Sequence, residues 1–257
     1  MIDAHCHLYS DKYDADRDLV IQRARRRLEA VVISAVDCES LDKALAIRRK
    51  YPDFIYVTAG IHPRKAAQLT EEKLHQLWQA VWNMQEELVA VGEVGPDFHH
   101  VKDPHLRERQ LLVLESALVQ AESLNLPLVI HARRAEEAAL EVVSRSRIPV
   151  LFHCFSGSKQ VAGKIGARGF YVSFSALLLI NTGLREVAGE MPPERILTET
   201  DSPALSPSPA QPRNEPAFVE MVVSCLAKLL QCNPMQMAAL TAANARTFYR
   251  LAARPGP

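Results

Sequence analysis

Histidine and carboxylate side chains follow short apolar segments at several points along this sequence. His5 and His7 stand two apart in the first segment, and residues two apart in a strand share a face. Later apolar segments end in Glu93, His131, His153 and Asp201. Such side chains are costly to bury without a partner. Neutral imidazole and carboxylate are common ligands of divalent metal ions, so the pattern favours a dinuclear metal site over a buried polar network without metal.

The elements that carry these residues alternate regularly. Short β-rich segments recur between segments of helical spacing, and the predicted strands cover residues 2–7, 30–36, 54–60, 88–94, 128–131, 150–153, 170–174 and 196–199. Eight strand–helix units in about 200 residues predict parallel strands closed into a (β/α)8 TIM barrel. We expect one domain over residues 1–257. The carboxyl ends of all strands open on one face of such a barrel, where the six side chains would meet.

Composition excludes several classes of protein. Apolar residues make up 48% and charged residues 23%, which is typical of a folded globular chain. The 30 basic and 30 acidic residues balance, so nucleic acid would have to bind at a local site. No apolar stretch has the length of a membrane span, and no obligate protein partner is indicated. Five cysteines without CxxC spacing favour a reducing compartment, the cytoplasm or the nucleus.

Longer motifs extend along essentially the whole chain. They are IDAHCHL at 2–8, GIHP at 60–63, GEVGPDF at 92–98, IHAR at 130–133, FHCFSG at 152–157, ETDSP at 199–203, RNEP at 213–216 and NARTF at 244–248. In this order they resemble the motifs of the TatD family of metal-dependent deoxyribonucleases. The resemblance implies a TIM-barrel metallohydrolase of the wider amidohydrolase-like group.

The resemblance also implies a ligand set for two divalent ions, which would be zinc, manganese or magnesium. Glu93 would bridge both ions; His5, His7 and Asp201 would complete one site, and His131 and His153 the other. The many nitrogen ligands suit magnesium least. Glu93 and Asp201 are the predicted catalytic residues, because Asp201 could orient or deprotonate the nucleophile as well as bind metal.

Two further carboxylates are candidates for orienting the ligands. Glu199 shares a strand face with Asp201, and Asp97 follows Glu93 in the GEVGPDF motif. The family usually has leucine where this chain has Pro96. Because proline fixes φ and removes an N–H, the position of Asp97 is less determined than that of Glu93.

The resulting hypothesis is hydrolysis of a phosphodiester in DNA, or of a related nucleotide phosphate ester, by a hydroxide that bridges two metals. Arg133 shares the inward face with His131 and could bind phosphate through its guanidinium. His62 could donate from an imidazolium, and Arg213 and Asn214 could bind an anion at the start of a helix.

Two other functions stay open. A C–N or lactone hydrolase could use the same barrel, although many dinuclear enzymes of that type bridge their metals with a carboxylated lysine, and strand four here supplies Glu93, with no lysine until Lys102. A non-enzyme is the other alternative, either a metal-dependent scaffold or a nucleic-acid-binding module that has lost activity. Cys6 and Cys154 are expected to face outward beneath the helices, and the Pro/Ser-rich segment 202–212 is expected to be an ordered loop near the site.

Overall fold

The computed structural model describes residues 1–208, 210–211 and 213–252. Pro209 and Pro212 of the predicted loop 202–212, and residues 253–257 of the predicted single domain, lie outside the described residues.

Eight parallel strands form one sheet in which each strand pairs with the next along the chain. The strands are β1 (Ile2–Cys6), β2 (Ala30–Ala35), β3 (Ile55–Ile61), β4 (Ala90–Val94), β5 (Leu128–Ile130), β6 (Val150–Phe152), β7 (Tyr171–Phe174) and β8 (Ile196–Thr198). A parallel bridge between Cys6 and Ser202 joins the segment after β8 to β1. The sheet therefore closes on itself, and the prediction of a (β/α)8 barrel is confirmed.

The helices lie between the strands and cover the outside of the barrel. They are α1 (Arg17–Arg25), α2 (Cys38–Lys50), α3 (Pro63–Ala66), α4 (Glu71–Asn83), α5 (Pro104–Leu124), α6 (Glu136–Val142), α7 (Lys159–Ala167), α8 (Thr182–Glu190), α9 (Val219–Leu229) and α10 (Pro234–Tyr249). Side chains cap several of them. At α2, for example, Asp37 and Ser40 form a reciprocal capping box.

Two helix starts differ from the sequence-based expectation. The short helix α3 directly after β3 was not expected; it begins because His62 accepts a hydrogen bond from the backbone of Arg64 and Pro63 fits the first turn. After β8, helical structure begins at Pro216 rather than at Arg213. Glu215 is extended, with φ −139° and ψ 151°, because a residue before proline is disfavoured in the helical region.

The amino end of the barrel is filled by apolar side chains. Phe248 and Tyr249 of α10 pack against a cluster from inside the strands that includes Ala4, Leu151 and Tyr171. The Tyr249 hydroxyl donates to the Ala4 carbonyl at 2.8 Å, so its polar atom has a partner. Polar side chains of the lumen are thereby left at the carboxyl end, where the loops after the strands form the candidate site.

Among the described residues, no helix combines the length and hydropathy that a bilayer crossing needs.

Candidate metal centre

Glu93, at the end of β4, lies at the centre of a cluster of imidazole rings. Its Oε1 is 2.7 Å from His131 Nδ1 and 3.1 Å from His153 Nε2. Its Oε2 is 3.3 Å from His5 Nε2 and 3.8 Å from His7 Nε2. The two oxygens of one carboxylate therefore face two different pairs of histidines.

Asp201 completes the half of the cluster that contains His5 and His7. Its Oδ1 is 3.3 Å from His7 Nε2 and 3.9 Å from His5 Nε2. A hydrogen bond of 3.0 Å from the Asp201 N–H to the His5 carbonyl holds the segment after β8 against β1. The structure thus brings together all six predicted ligands, which come from β1, from β4 and from the residues directly after β1, β5, β6 and β8.

Groups outside the cluster determine which ring nitrogen faces it. His7 Nδ1 lies 2.9 Å from the Ser34 carbonyl, and His153 Nδ1 lies 3.3 Å from Glu199 Oε1. A proton on each Nδ1 leaves the Nε2 lone pair directed at the cluster. His131 is turned the other way, because its Nε2 faces Asp97 Oδ2 at 3.3 Å and its Nδ1 faces Glu93.

Unpartnered buried atoms test whether these residues fit a metal ion. Among the described residues, His5 Nε2 and Glu93 Oε2 are buried without a hydrogen-bond partner. An unsatisfied buried polar atom costs about 1–3 kcal/mol. A divalent cation held between the two would satisfy both, and imidazole with carboxylate is a suitable donor set for zinc, manganese or iron. The residues present therefore fit a bound metal.

The electrostatics of the cluster keep its carboxylates ionised. Burial by itself would raise the pKa of Glu93, but His153, His131 and His5 hold that pKa well below its ordinary value. Burial opposes ionisation of Asp201 in the same way, yet the contact with His7 lowers its pKa. Two negatively charged groups in one buried cluster favour the binding of cations.

His62 contacts the same cluster from the segment after β3. Its Nδ1 accepts the N–H of Arg64 at 3.2 Å, and its Nε2 lies 4.0 Å from Glu93 Oε1. Burial lowers the pKa of His62 to about 4, so the ring is neutral at neutral pH. The expected imidazolium is therefore not supported, and the ring presents a neutral N–H to the cavity.

A cavity of about 500 Å³ opens above the cluster. Beyond the cluster residues, its walls carry the charged side chain of Arg133 and otherwise neutral groups, namely Ala132, Cys154, Ser156, Leu177, Asn181, Ala204 and Leu205. The expectation that Cys154 faces outward is wrong. The chain takes a left-handed conformation there, with φ 46°, and turns the residue toward the cavity and Ser175.

The two predicted orienting carboxylates both contact the cluster. Glu199 accepts a hydrogen bond of 2.5 Å from the Ser173 hydroxyl and faces His153. Asp97 accepts from the backbone of His99 at 3.0 Å and from that of His100 at 2.9 Å. Its carboxylate is therefore held in place despite the proline at position 96.

The structure does not bring Arg213 and Asn214 to the cavity. The Arg213 guanidinium lies 2.7 Å from Asp16 and 3.0 Å from Glu215. The Asn214 side chain donates to the Thr200 carbonyl at 2.8 Å and to the Leu205 carbonyl at 3.0 Å. Both residues instead join the segment after β8 to neighbouring parts of the chain. Their polar groups are engaged by these partners, which the sequence spacing does not reveal.

A parallel barrel with a histidine and carboxylate cluster at its carboxyl rim defines the class of metal-dependent hydrolases. Within this class the chain belongs to the TatD family, since the family model described as TatD related DNase matches residues 2–250.

Individual relatives agree over nearly the whole chain. An uncharacterized metal-dependent hydrolase, YabD of Bacillus subtilis, is 34% identical over 98% of this chain and 99% of its own. A 3′-5′ ssDNA/RNA exonuclease TatD of Erwinia tasmaniensis is 32% identical over 98% of this chain and all of its own length (100%). The crystal structure of YJJV, a TatD homologue from Escherichia coli, superimposes with a TM-score of 0.89 at 27% identity, covering 98% of both chains.

Proposed function

We propose that this protein is a deoxyribonuclease that hydrolyses phosphodiester bonds of DNA with the help of two divalent ions. The observation that carries the proposal is the position of Glu93, whose two oxygens face separate pairs of histidines. A carboxylate in that position is suited to bridge two ions. The exonuclease name of the Erwinia relative supports nucleic acid as the class of substrate.

The cluster would hold the ions in two adjoining sets. His5, His7 and Asp201 would bind one ion, His131 and His153 would bind the other, and Glu93 would be shared. Divalent ions bound there would lower the pKa of water towards about 7 and neutralise charge on phosphoryl oxygens.

Asp201 is the group best placed to take a proton from the attacking water. Its side chain is 20% exposed, whereas that of Glu93 is 2% exposed, so Asp201 is the more accessible of these two carboxylates of the cavity. His7 lowers the pKa of Asp201 against the effect of burial, and the carboxylate is therefore ionised and able to accept a proton at neutral pH.

Arg133 and His62 would position the phosphate. Arg133 lines the cavity, and among the described residues no carboxylate forms an ion pair with it, so its guanidinium is available to an anion. His62 Nε2 carries the ring proton because Nδ1 accepts from the backbone, so this nitrogen can donate to a phosphoryl oxygen.

The rival C–N or lactone hydrolase finds less support in the cavity. In the described part of the chain, no lysine is among the residues that line it. Lys102, the first lysine after β4, donates to the Phe98 carbonyl at 3.2 Å instead. In the proposed site the bridging carboxylate would be that of Glu93 itself.

An assay of two substrates with defined metals tests the proposal. Protein stripped with EDTA and reloaded with zinc, manganese or magnesium is given bis-nitrophenyl phosphate in one arm and a cyclic amide in the other. We expect turnover of the phosphodiester that appears only with metal. Turnover of the amide alone would show that the chain is a C–N hydrolase.

A further inference from the structure

The rim of the barrel after β4 and β5 carries a concentration of cationic side chains. The two loops are joined, because the Phe98 N–H donates to the Arg133 carbonyl at 3.0 Å and Asp97 and Arg133 form a parallel bridge. Lys102, Arg133 and Arg134 are all exposed on this joined surface. We name these three residues, with His99 and His100, the β4–β5 patch.

The charges of the patch lie close enough to act on one another. Partial burial, and then the positive charges of Arg133, His100, Arg134 and Lys102, lower the pKa of His99. The rings of His99 and His100 are 4.7 Å apart, edge to face. The charged groups of the patch therefore lie around His99.

The lysine and the two arginines of the patch have no carboxylate partner among the described residues. The nearest acidic residues along the chain face other groups: Asp97 contacts His131 and the patch residue His100, and Asp103 caps α5 by accepting the N–H of His105 at 2.8 Å.

Several other cations around the mouth of the barrel are paired. Lys65 contacts Asp37, and Lys159 contacts Glu190. Arg213 lies between Asp16 and Glu215, as described above. Lys12 and Arg64 are exposed in the segments after β1 and β3, and among the described residues they form no ion pair with a carboxylate either, but each stands alone, whereas the β4–β5 patch holds three such cations. Because Arg133 also lines the cavity, the patch is continuous with the metal centre.

We propose that the β4–β5 patch binds the backbone of a single-stranded polynucleotide where it leaves the metal centre. The inference rests on the proposed function and adds the path that the strand follows from the metal centre over the protein surface. The patch has cationic groups but no arrangement that reads base edges, so binding is expected to tolerate any sequence and to weaken with salt. This surface does not require a base-paired duplex as substrate.

The test compares matched pairs of charge-removing substitutions. Lys102→Gln with Arg134→Gln removes two charges of the patch and leaves the cavity residue Arg133 in place. The control is Arg26→Gln with Arg145→Gln, at two exposed arginines that follow α1 and α6 and so lie at the amino end of the barrel. Affinity for a fluorescent thymidine oligonucleotide is measured by anisotropy in EDTA over a range of salt concentrations.

We expect K102Q/R134Q to bind the oligonucleotide about tenfold or more weakly than the wild type. The slope of log K against log salt should become shallower by about 1.4, because each lost phosphate contact on a single strand removes about 0.7. The control pair should keep the affinity and the slope of the wild type. Equal binding by wild type and K102Q/R134Q, or an equal loss in the control pair, would overturn the inference.

Kinetics with metal separate this inference from the proposed function. Bis-nitrophenyl phosphate is too short to extend from the cavity along the patch, so its hydrolysis reports on the metal centre. If the oligonucleotide binds through the patch but the short ester is not hydrolysed, the proposed function fails and the strand path stands. If the short ester is hydrolysed and K102Q/R134Q has the wild-type KM for the oligonucleotide, the strand path fails alone.

Discussion

At the scale of single residues, the cluster depends on which nitrogen of each histidine carries a proton. Ser34 and Glu199 direct the Nε2 lone pairs of His7 and His153 inward. Asp97 faces Nε2 of His131, whose Nδ1 is then turned toward Glu93. The orienting groups therefore matter to metal affinity nearly as much as the ligands themselves do.

Glu93→Gln tests the shared carboxylate. Glutamine keeps the shape of the side chain but removes the charge that two ions would share. We expect metal content to fall and phosphodiester turnover to drop by more than about 100-fold, which is the upper range for the loss of a mere supporting group. Elemental analysis and steady-state kinetics measure both. Glu86→Gln makes the same chemical change at an exposed site and should lower neither the metal content nor the turnover.

Asp97→Asn tests the group that orients His131. An amide can present an N–H where the carboxylate presents an oxygen, so the His131 ring loses its fixed orientation. We expect metal affinity to fall about 10–100-fold, measured by competition with a chelator. His100→Gln removes a partner of Asp97 that does not contact Glu93, and should have a smaller effect. Equal affinity in wild type and D97N would assign Asp97 a purely structural role.

At the scale of elements, the strands were predictable and the loops only in part. His5 and His7 could be placed because a two-residue period and the direction of a parallel strand determine where a side chain points. Cys154 could not, because its left-handed φ of 46° depends on the loop around it. The contacts of Arg213 could not be predicted either, because Asp16 is 197 positions away along the chain.

Arg213→Ala separates a structural role from phosphate binding. The guanidinium joins the segment before Pro216 to Asp16 near α1 and lies over the Tyr13 ring at 4.9 Å. Losing these partly exposed, solvent-screened contacts should lower the free energy of unfolding by about 1 kcal/mol or less, measured by urea denaturation. The KM for bis-nitrophenyl phosphate should rise less than it does in Arg133→Gln. A rise in KM as large as that in R133Q would support the original prediction that Arg213 binds phosphate.

At the scale of the whole molecule, closure of the barrel is what assembles the site. Glu93 and Asp201 are more than a hundred positions apart, yet they meet because β4 and β8 open on the same face. The convergence of the six ligands could therefore be predicted once eight strand–helix units had been recognised. The neutral walls of the cavity could not be predicted, because Leu177, Asn181 and Leu205 come from a short 3-10 helix, a helix cap and a loop, whose course no periodicity reveals.

The same assembly couples stability to pH in opposite directions with and without metal. In the metal-free protein, contacts with carboxylates raise the pKa of His7, His131 and His153 against the effect of burial. The stabilisation from these protonated rings is present below their ordinary pKa of 6.5 and is lost as the pH rises through the higher folded values. Metal binding requires the neutral rings, so its contribution grows over the same range.

We therefore expect the difference in melting temperature between zinc-loaded and EDTA-treated protein to increase from about pH 5 to about pH 8. Thermal unfolding followed by circular dichroism at several pH values measures this difference. His105→Gln removes an exposed histidine outside the cluster and should leave the trend unchanged, whereas His153→Ala should flatten it. A difference that stays constant or shrinks with rising pH would mean that these histidines do not bind the ion.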